Sequence, residues 1–212
     1  MTKLIFIRHG QSTYNLEHRY TGQLDIPLTE KGVLQAEITA EYVLKNYKID
    51  AIYSSDLSRS VKTAQPIADA LGLPIKTDAR LREIHAGDWQ DRLFSEIKVT
   101  CKEEYDRYRE SGGYARTPNG ESLEDVLNRA YAAVLDIIRE NEGKTVLISS
   151  HNGPIKSLAV PFLGQKLHET ESVSNNSVTE VDCDCGKYTV VKLGYDEHLS
   201  GITTSFTEKT AN

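Results

Sequence analysis

Apolar residues along the chain fall into two patterns. Three short unbroken runs, Lys3–Ile7, Ala51–Tyr53 and Lys144–Ser149, show no alternation, which predicts strands covered on both faces. Between them apolar positions recur at helical spacing. Thr29–Tyr47 reads as a helix capped by Thr29, with Val33, Ala36, Ala40, Val43 and Leu44 near one face. Ser58–Leu71 is a second, ended by Gly72 with Pro74 beyond. Ser122–Asn141 is a third, with Ser122 and Asp125 at capping-box spacing, and Pro154–Leu163 a fourth that opens with Pro in its first turn. Strand–helix alternation of this kind predicts an α/β fold with a mainly parallel sheet and right-handed crossovers. Near the C-terminus, Ser177–Asp182 and Tyr188–Leu193 flank Cys-Asp-Cys-Gly-Lys and read as an antiparallel hairpin. Residues 92–118 are charged and tyrosine-rich, and read as a helical excursion able to cover a site.

Composition narrows the class. At 212 residues, 39% hydrophobic and 26% charged, the chain suits one soluble globular domain spanning 1–212. The formal charge of −6 argues against a protein that spreads a basic face over nucleic acid, but leaves room for a small cationic pocket. Three cysteines make no disulfide framework and predict a reducing, cytoplasmic setting. The four apolar residues after Lys3 are too few for a signal peptide, and no run reaches the ~18 residues of a membrane span.

The chemistry concentrates at two strand ends. Lys3–Ile7 runs into Arg8-His9-Gly10, and Lys144–Ser149 runs into Ser150-His151-Asn152-Gly153. In an open α/β sheet those ends line the crevice where ligands bind. Glycines there admit close backbone approach, the following helices point N-termini at the crevice, and a guanidinium matches phosphate oxygens in bidentate fashion. An anion site follows. A zinc site built on His9 and His151 has suitable ligand types but no metal-ligand spacing, so no metal is expected.

Several segments together resemble the opening and later signatures of the histidine phosphatase superfamily, the phosphoglycerate mutase-like proteins. They are Arg8-His9-Gly10-Gln11-Ser12 with Asn15, the run Thr21 to Gly32, Tyr53 to Ser60 with Thr63-Ala64, Leu81 to Trp89, Pro118 to Ser122, and Ser150 to Gly153. The branch resembled is that of the PhoE-like and ribazole phosphatases. The resemblance implies a three-layer sandwich with a mostly parallel sheet and a helical lid at about 92–118. It makes His9 the nucleophile, Glu83 the acid and then base, and Arg8, Arg59, His151 and the Asn15 amide the phosphate binders. Thr21, Gly22 and Asn152 join them at the substrate. No cofactor is implied.

Departures from the family pattern are Gln11 for the commoner Glu, Asp91 for a Gly, Asn152 for the first Gly after the second histidine, and Lys156 where an arginine is usual. The mutases of the family carry a tyrosine three residues after the acid and paired arginines in an inserted segment. This chain has Ala86 there, and scattered Arg107, Arg109 and Arg116. The expectation is therefore a metal-independent phosphomonoesterase working through a phosphohistidine on a small phosphorylated metabolite. A bisphosphoglycerate-dependent mutase is the runner-up and a non-catalytic phosphate-binding module the third reading. The expected partner is the small-molecule phosphomonoester, without nucleic acid or membrane; a homodimer is left open. Trp89 and the lid tyrosines Tyr105, Tyr108 and Tyr114 are expected to pack rather than bind. His85 and His198 are left without catalytic roles, and Cys183 and Cys185 are expected to sit inertly at a hairpin end.

Overall fold

A computed structural model describes residues 1–203. Six strands form one sheet: β1 (Thr2–Arg8), β2 (Ala51–Ser54), β3 (Ile75–Thr77), β4 (Thr145–Ser150), β5 (Val178–Asp184) and β6 (Lys187–Tyr195). Their order is β3-β2-β4-β1-β5-β6. The first four run parallel, and β5 and β6 add an antiparallel edge. The helices are α1 (Thr13–Glu17), α2 (Glu30–Asn46), α3 (Ser58–Leu71), α4 (Phe94–Thr100), α5 (Lys102–Glu110), α6 (Leu123–Glu140) and α7 (Asn152–Leu163).

The unbroken apolar runs have the predicted cause. On β1, Leu4 and Phe6 face a core completed by Ala130, Val134, Ile155 and Leu158 from α6 and α7. Ile5 and Ile7 face the opposite core, with Ala40, Val43, Ala64 and Ile67 from α2 and α3. A strand sandwiched between two helical layers has no solvent face on which to place polar residues. The helix ends also follow the sequence. Gly72 ends α3 in the left-handed conformation (φ 64°), and Ser122 with Asp125 completes a reciprocal capping box on α6.

Two details differ from expectation. The buried stripe of α2 is Gly32, Gln35, Ala36, Thr39, Ala40 and Val43, while Val33 and Leu44 lie on the exposed side. The reason is a backbone contact: a Cβ on Gly32 would stand 2.1 Å from the Gln11 carbonyl oxygen, so the helix turns its glycine, not its valine, inward. The short edge strand β3, three residues long, carries too little pattern to be anticipated.

The excursion at 92–118 is helical over α4 and α5 and has its own small core. Trp89, Ile97 and Tyr105 are buried there with Ala86, and Tyr20, Cys101 and Tyr108 pack around them. Tyr114 is exposed. His198 stacks on Tyr42 and hydrogen-bonds Thr39 (3.0 Å), away from the crevice. Cys183 is buried in β5 and Cys185 exposed in the turn, both as free thiols. Among the described residues, no helix is long and apolar enough to cross a membrane.

Candidate active site

Strands β1 and β4 are neighbours in register, Arg8 opposite Ser150, so the two histidines leave the sheet side by side. The His9 N–H donates to the Ser150 carbonyl (2.9 Å), and the two imidazoles stand 5.0 Å apart between centroids. Both are buried.

Each histidine ring is held by one neighbour, and for His9 that neighbour sets the tautomer. His9 Nδ1 lies 2.7 Å from the Gly10 carbonyl, which only accepts, so Nδ1 carries the proton and Nε2 bears the lone pair. For His151, Nε2 is 2.9 Å from Ser55 Oγ. Ser55 Oγ also accepts the Leu57 N–H (3.4 Å), and a hydroxyl can both donate and accept, so it fixes the orientation of the His151 ring. His151 Nδ1 is buried without a partner. Ser55 belongs to the second matching segment, but nothing in sequence marks a serine as the partner of a histidine 96 positions away.

Arg8 and Arg59 converge on the same place. Arg59 is fully buried on the first turn of α3 and donates to the Gly22 (2.9 Å) and Leu24 (2.6 Å) carbonyls. Arg8 donates to the Val173 carbonyl (2.5 Å). Among the described residues neither forms a salt bridge, and the Nε of each is buried without a partner. Burial lowers both to about 10, so both remain cationic at neutral pH. Burial, then the Arg59 and Arg8 charges, hold His9 well below the ordinary histidine value. His151 is depressed by burial and the same arginines.

These depressions carry a sign that can be tested. Folded His9 and His151 stay neutral while their unfolded counterparts take up protons near 6.5; half-buried His198, lowered by desolvation, acts in the same sense. Stability is therefore whole above about pH 6.5 and falls as pH drops below it, before most carboxylates titrate. Urea unfolding followed from about pH 7.5 to 5 should show a steadily falling midpoint. A flat midpoint would contradict neutral, buried histidines.

Glu83 is held across the crevice. Its Oε1 accepts the backbone N–H of Ile84 and of Gly153, both at 2.9 Å, leaving Oε2 for proton exchange. A Cβ on Gly153 would stand 2.2 Å from Oε1, so the glycine is required for this contact. The segment carrying Glu83 is clamped from α6. Arg129 donates to the carbonyls of Arg80 (2.8 Å), Arg82 (2.6 Å) and Glu83 (2.8 Å), and its guanidinium is paired with Glu121. Glu121 in turn accepts the His85 N–H (2.8 Å), and Gln23 Nε2 donates to the Glu83 carbonyl (3.1 Å). Arg129 carries no sequence signal beyond an ordinary helix position, and Gln23 lies in the matching run Thr21 to Gly32 with no role assigned to it there.

The remaining expected residues fall into two groups. Asn15 Oδ1 accepts from Ser12, closing the capping box of α1, and from Asn175 Nδ2 (3.2 Å). That orientation leaves its Nδ2 as the donating end. Asn175 also donates to the His9 carbonyl (2.9 Å) and so ties His9 and Asn15 together. Gly22, at φ 54°, presents its carbonyl to Arg59, and Thr21 shapes the same turn by accepting the Leu24 N–H (3.2 Å). The Asn152 side chain donates to Ser172 Oγ (3.2 Å) and accepts the Val173 N–H (3.0 Å). It thereby supports the loop whose Val173 carbonyl holds Arg8, and an amide has a second N–H to offer beside these bonds. No group of three or more metal-ligand side chains is gathered among the described residues.

Comparison with known proteins agrees with this geometry. Residues 4–196 match the model of the histidine phosphatase superfamily, branch 1. Phosphoserine phosphatase 1 of Hydrogenobacter thermophilus is 32% identical over 201 residues, covering 94% of this chain and 95% of that protein. The probable phosphoglycerate mutase GpmB of Yersinia pestis is 37% identical over 186 residues, covering 86% and 85%. The structure of a mycobacterial glucosyl-3-phosphoglycerate phosphatase in complex with VO3 superposes with a TM-score of 0.84 at 30% identity, over 92% of this chain and 99% of that one. The chain belongs to branch 1 of the histidine phosphatase superfamily.

Proposed function

We propose that this phosphomonoesterase of small metabolites works through a phosphohistidine on His9. The observation that carries the reading is one cluster: the His9 Nε2 lone pair, the His151 ring 5.0 Å away between centroids, and the buried cations Arg8 and Arg59, with Arg8 Nε, Arg59 Nε and His151 Nδ1 all buried without a partner. Buried polar atoms without partners are costly, and an oxyanion group is the ligand that two guanidinium groups are suited to meet.

In the first step Nε2 attacks phosphorus in line with the ester oxygen. The P–O ester bond breaks as Glu83 gives its proton to the leaving oxygen. Arg8, Arg59, His151 and the Asn15 amide hold the non-bridging oxygens and the charge spread over them. In the second step the Glu83 carboxylate takes a proton from water, whose oxygen attacks phosphorus. The P–N bond breaks, inorganic phosphate leaves, and His9 and Glu83 return to their starting states. Every charge on the phosphoryl group is met by side chains of the protein, so no step requires a metal or cofactor.

The mutase reading is favoured by one observation, the likeness to a probable phosphoglycerate mutase. Against it, Ala86 is fully buried in the lid core. Arg107 and Arg116 line an open hollow of about 630 Å3 with residues 115–120, whose lining includes none of the residues assigned to the phosphate.

The two readings separate in one assay. Phosphate release from p-nitrophenyl phosphate and from carboxylated phosphomonoesters is measured with EDTA present, beside 3-phosphoglycerate with catalytic bisphosphoglycerate. Metal-independent phosphate release supports the phosphatase. Accumulation of 2-phosphoglycerate with little phosphate release would establish the mutase.

A further inference from the structure

Arg129 stands on α6, outside the residues assigned to the phosphate, and every N–H of its guanidinium is in use. Nη1 donates to the Arg80 (2.8 Å) and Arg82 (2.6 Å) carbonyls. Nη2 donates to the Glu83 carbonyl (2.8 Å) and Glu121 Oε2 (3.0 Å), and Nε to Glu121 Oε1 (2.8 Å). A guanidinium has five such donors, so none is left over. The segment it holds has need of them. Residues 82–86 form neither helix nor strand, and backbone groups outside regular structure take side chains or water as partners. The carbonyls of 80–83 are all met by side chains, three by Arg129 and that of Leu81 by Ser150 Oγ (2.8 Å). Glu121 continues the strap: its Oε2 accepts the His85 N–H (2.8 Å), and its own backbone N–H donates to the His85 carbonyl (2.8 Å).

The consequence falls on one peptide plane. The Glu83 carbonyl is held from two sides, by Arg129 Nη2 at 2.8 Å and by Gln23 Nε2 at 3.1 Å. The other end of that peptide group is the Ile84 N–H, which donates to Oε1 of Glu83 itself (2.9 Å). Carbonyl and N–H of one peptide group are coplanar and point opposite ways. The donors that fix the carbonyl therefore also aim the N–H, and with it one of the two anchors of the carboxyl group. The second anchor, the Gly153 N–H, comes from α7 and does not turn with this plane. If the plane rotates, the two anchors no longer meet at one oxygen. The planar fork of a guanidinium can span three carbonyls and a carboxylate at once, which the three donors of a point-like ammonium cannot. Because Glu121 meets the arginine charge, the clamp works by direction rather than by net charge.

We propose that Arg129 is a positioning residue for the acid: by fixing the peptide plane between Glu83 and Ile84 it aims Glu83 Oε2 at the leaving oxygen. The inference rests on the phosphohistidine reading above, in which Glu83 protonates that oxygen. Arg129 itself touches neither substrate nor reacting atom. Its effect is greatest on esters whose alcohol departs poorly as an anion, because a general acid contributes most where the leaving group is basic. A displacement of about 1 Å produced far from the chemistry can cost about 10^2-fold, so a loosened clamp is enough to be measured.

The test measures kcat/KM, which reports the step that breaks the ester bond, on two esters of similar shape. The p-nitrophenolate of p-nitrophenyl phosphate leaves readily; the phenol of phenyl phosphate is far more basic. Full-length wild type is compared with Arg129→Lys, which keeps the stem and the charge beside Glu121 but not the fork, and with Glu83→Gln as reference. Arg129→Lys should lose about tenfold or more on phenyl phosphate and less than about threefold on p-nitrophenyl phosphate, with an unchanged circular dichroism spectrum. Glu83→Gln should show the same tilt, more steeply. Gln23→Ala, which removes the other donor to the same carbonyl, should tilt the pair by about threefold, and decides alone if Arg129→Lys does not fold. Equal losses of Arg129→Lys on both esters would place its action on the phosphoryl side, through His151, which its charge reaches, and would overturn the proposal. No loss on either ester would overturn it as well. No tilt in Glu83→Gln, or a wild type that turns over neither ester, would remove the reading of the site and this inference with it.

Discussion

Replacing His9 with alanine should abolish phosphatase activity, by at least about 10^4-fold in kcat, while leaving the fold in place. The magnitude follows from the division of labour in the crevice. Arg8, Arg59 and His151 can stabilise charge, but among the residues gathered there His9 presents a neutral nitrogen lone pair to the phosphorus. The fold should survive because His9 contributes one backbone bond to β4 that alanine also makes. Its side-chain bond is to the adjacent carbonyl, and burying an imidazole earns little. Steady-state assay alongside circular dichroism checks both halves. Activity within tenfold of wild type, with structure retained, would remove the nucleophile from the account.

The second large effect is expected at Arg59. Arg59→Met keeps much of the stem volume and removes a buried charge, and should lower kcat/KM by about 10^3-fold. A second reading of the same variant comes from binding. Inorganic phosphate should raise the Tm of the wild type, since a ligand at ~100 times its Kd stabilises by about 2.7 kcal/mol. The variant should lose most of that gain, because one of the two buried guanidinium groups proposed to meet the anion is gone. An undiminished phosphate shift in Arg59→Met would place the anion elsewhere.

Much of this site is legible in the sequence because its parts sit where strand patterns end. The runs Lys3–Ile7 and Lys144–Ser149 are visible as unbroken apolar stretches, and a parallel sheet puts their C-terminal ends together. His9 and His151 are thus joined by topology before any family likeness is considered. Arg59 and Glu83 are different. An arginine at a helix start and a glutamate after a loop have no periodic signature, and the family motifs alone single them out. The supporting residues are harder still. Ser55, Asn175, Glu121 and Arg129 act through hydrogen bonds to groups up to 166 positions away, and such pairings leave no trace in local pattern.

Where the sequence reading erred, a close approach was responsible. Val33 looked like a core residue by spacing, but α2 is turned so that Gly32 can touch the backbone of the His9–Gln11 loop. Asn152, beside the second histidine, also bonds Ser172 and Val173, a supporting contact that spacing does not announce. Both cases concern segments that approach one another only after the sheet is assembled. The lid follows the same logic: its aromatic residues are recognisable as a group, yet their role as a separate small core under Trp89 depends on Tyr20, which is far off in sequence.

The central claim is that the phosphoryl group passes through His9 Nε2. The most direct test is to mix the enzyme with a rapidly hydrolysed phosphomonoester, quench with alkali within the first turnover, and locate any added phosphoryl group by peptide mass. The account predicts a phosphoryl adduct, stable to alkali and lost in acid, on the peptide containing His9, and none in His9→Ala. A phosphoryl group on a different residue would contradict it, as would rapid turnover with no adduct on His9 at any quench time.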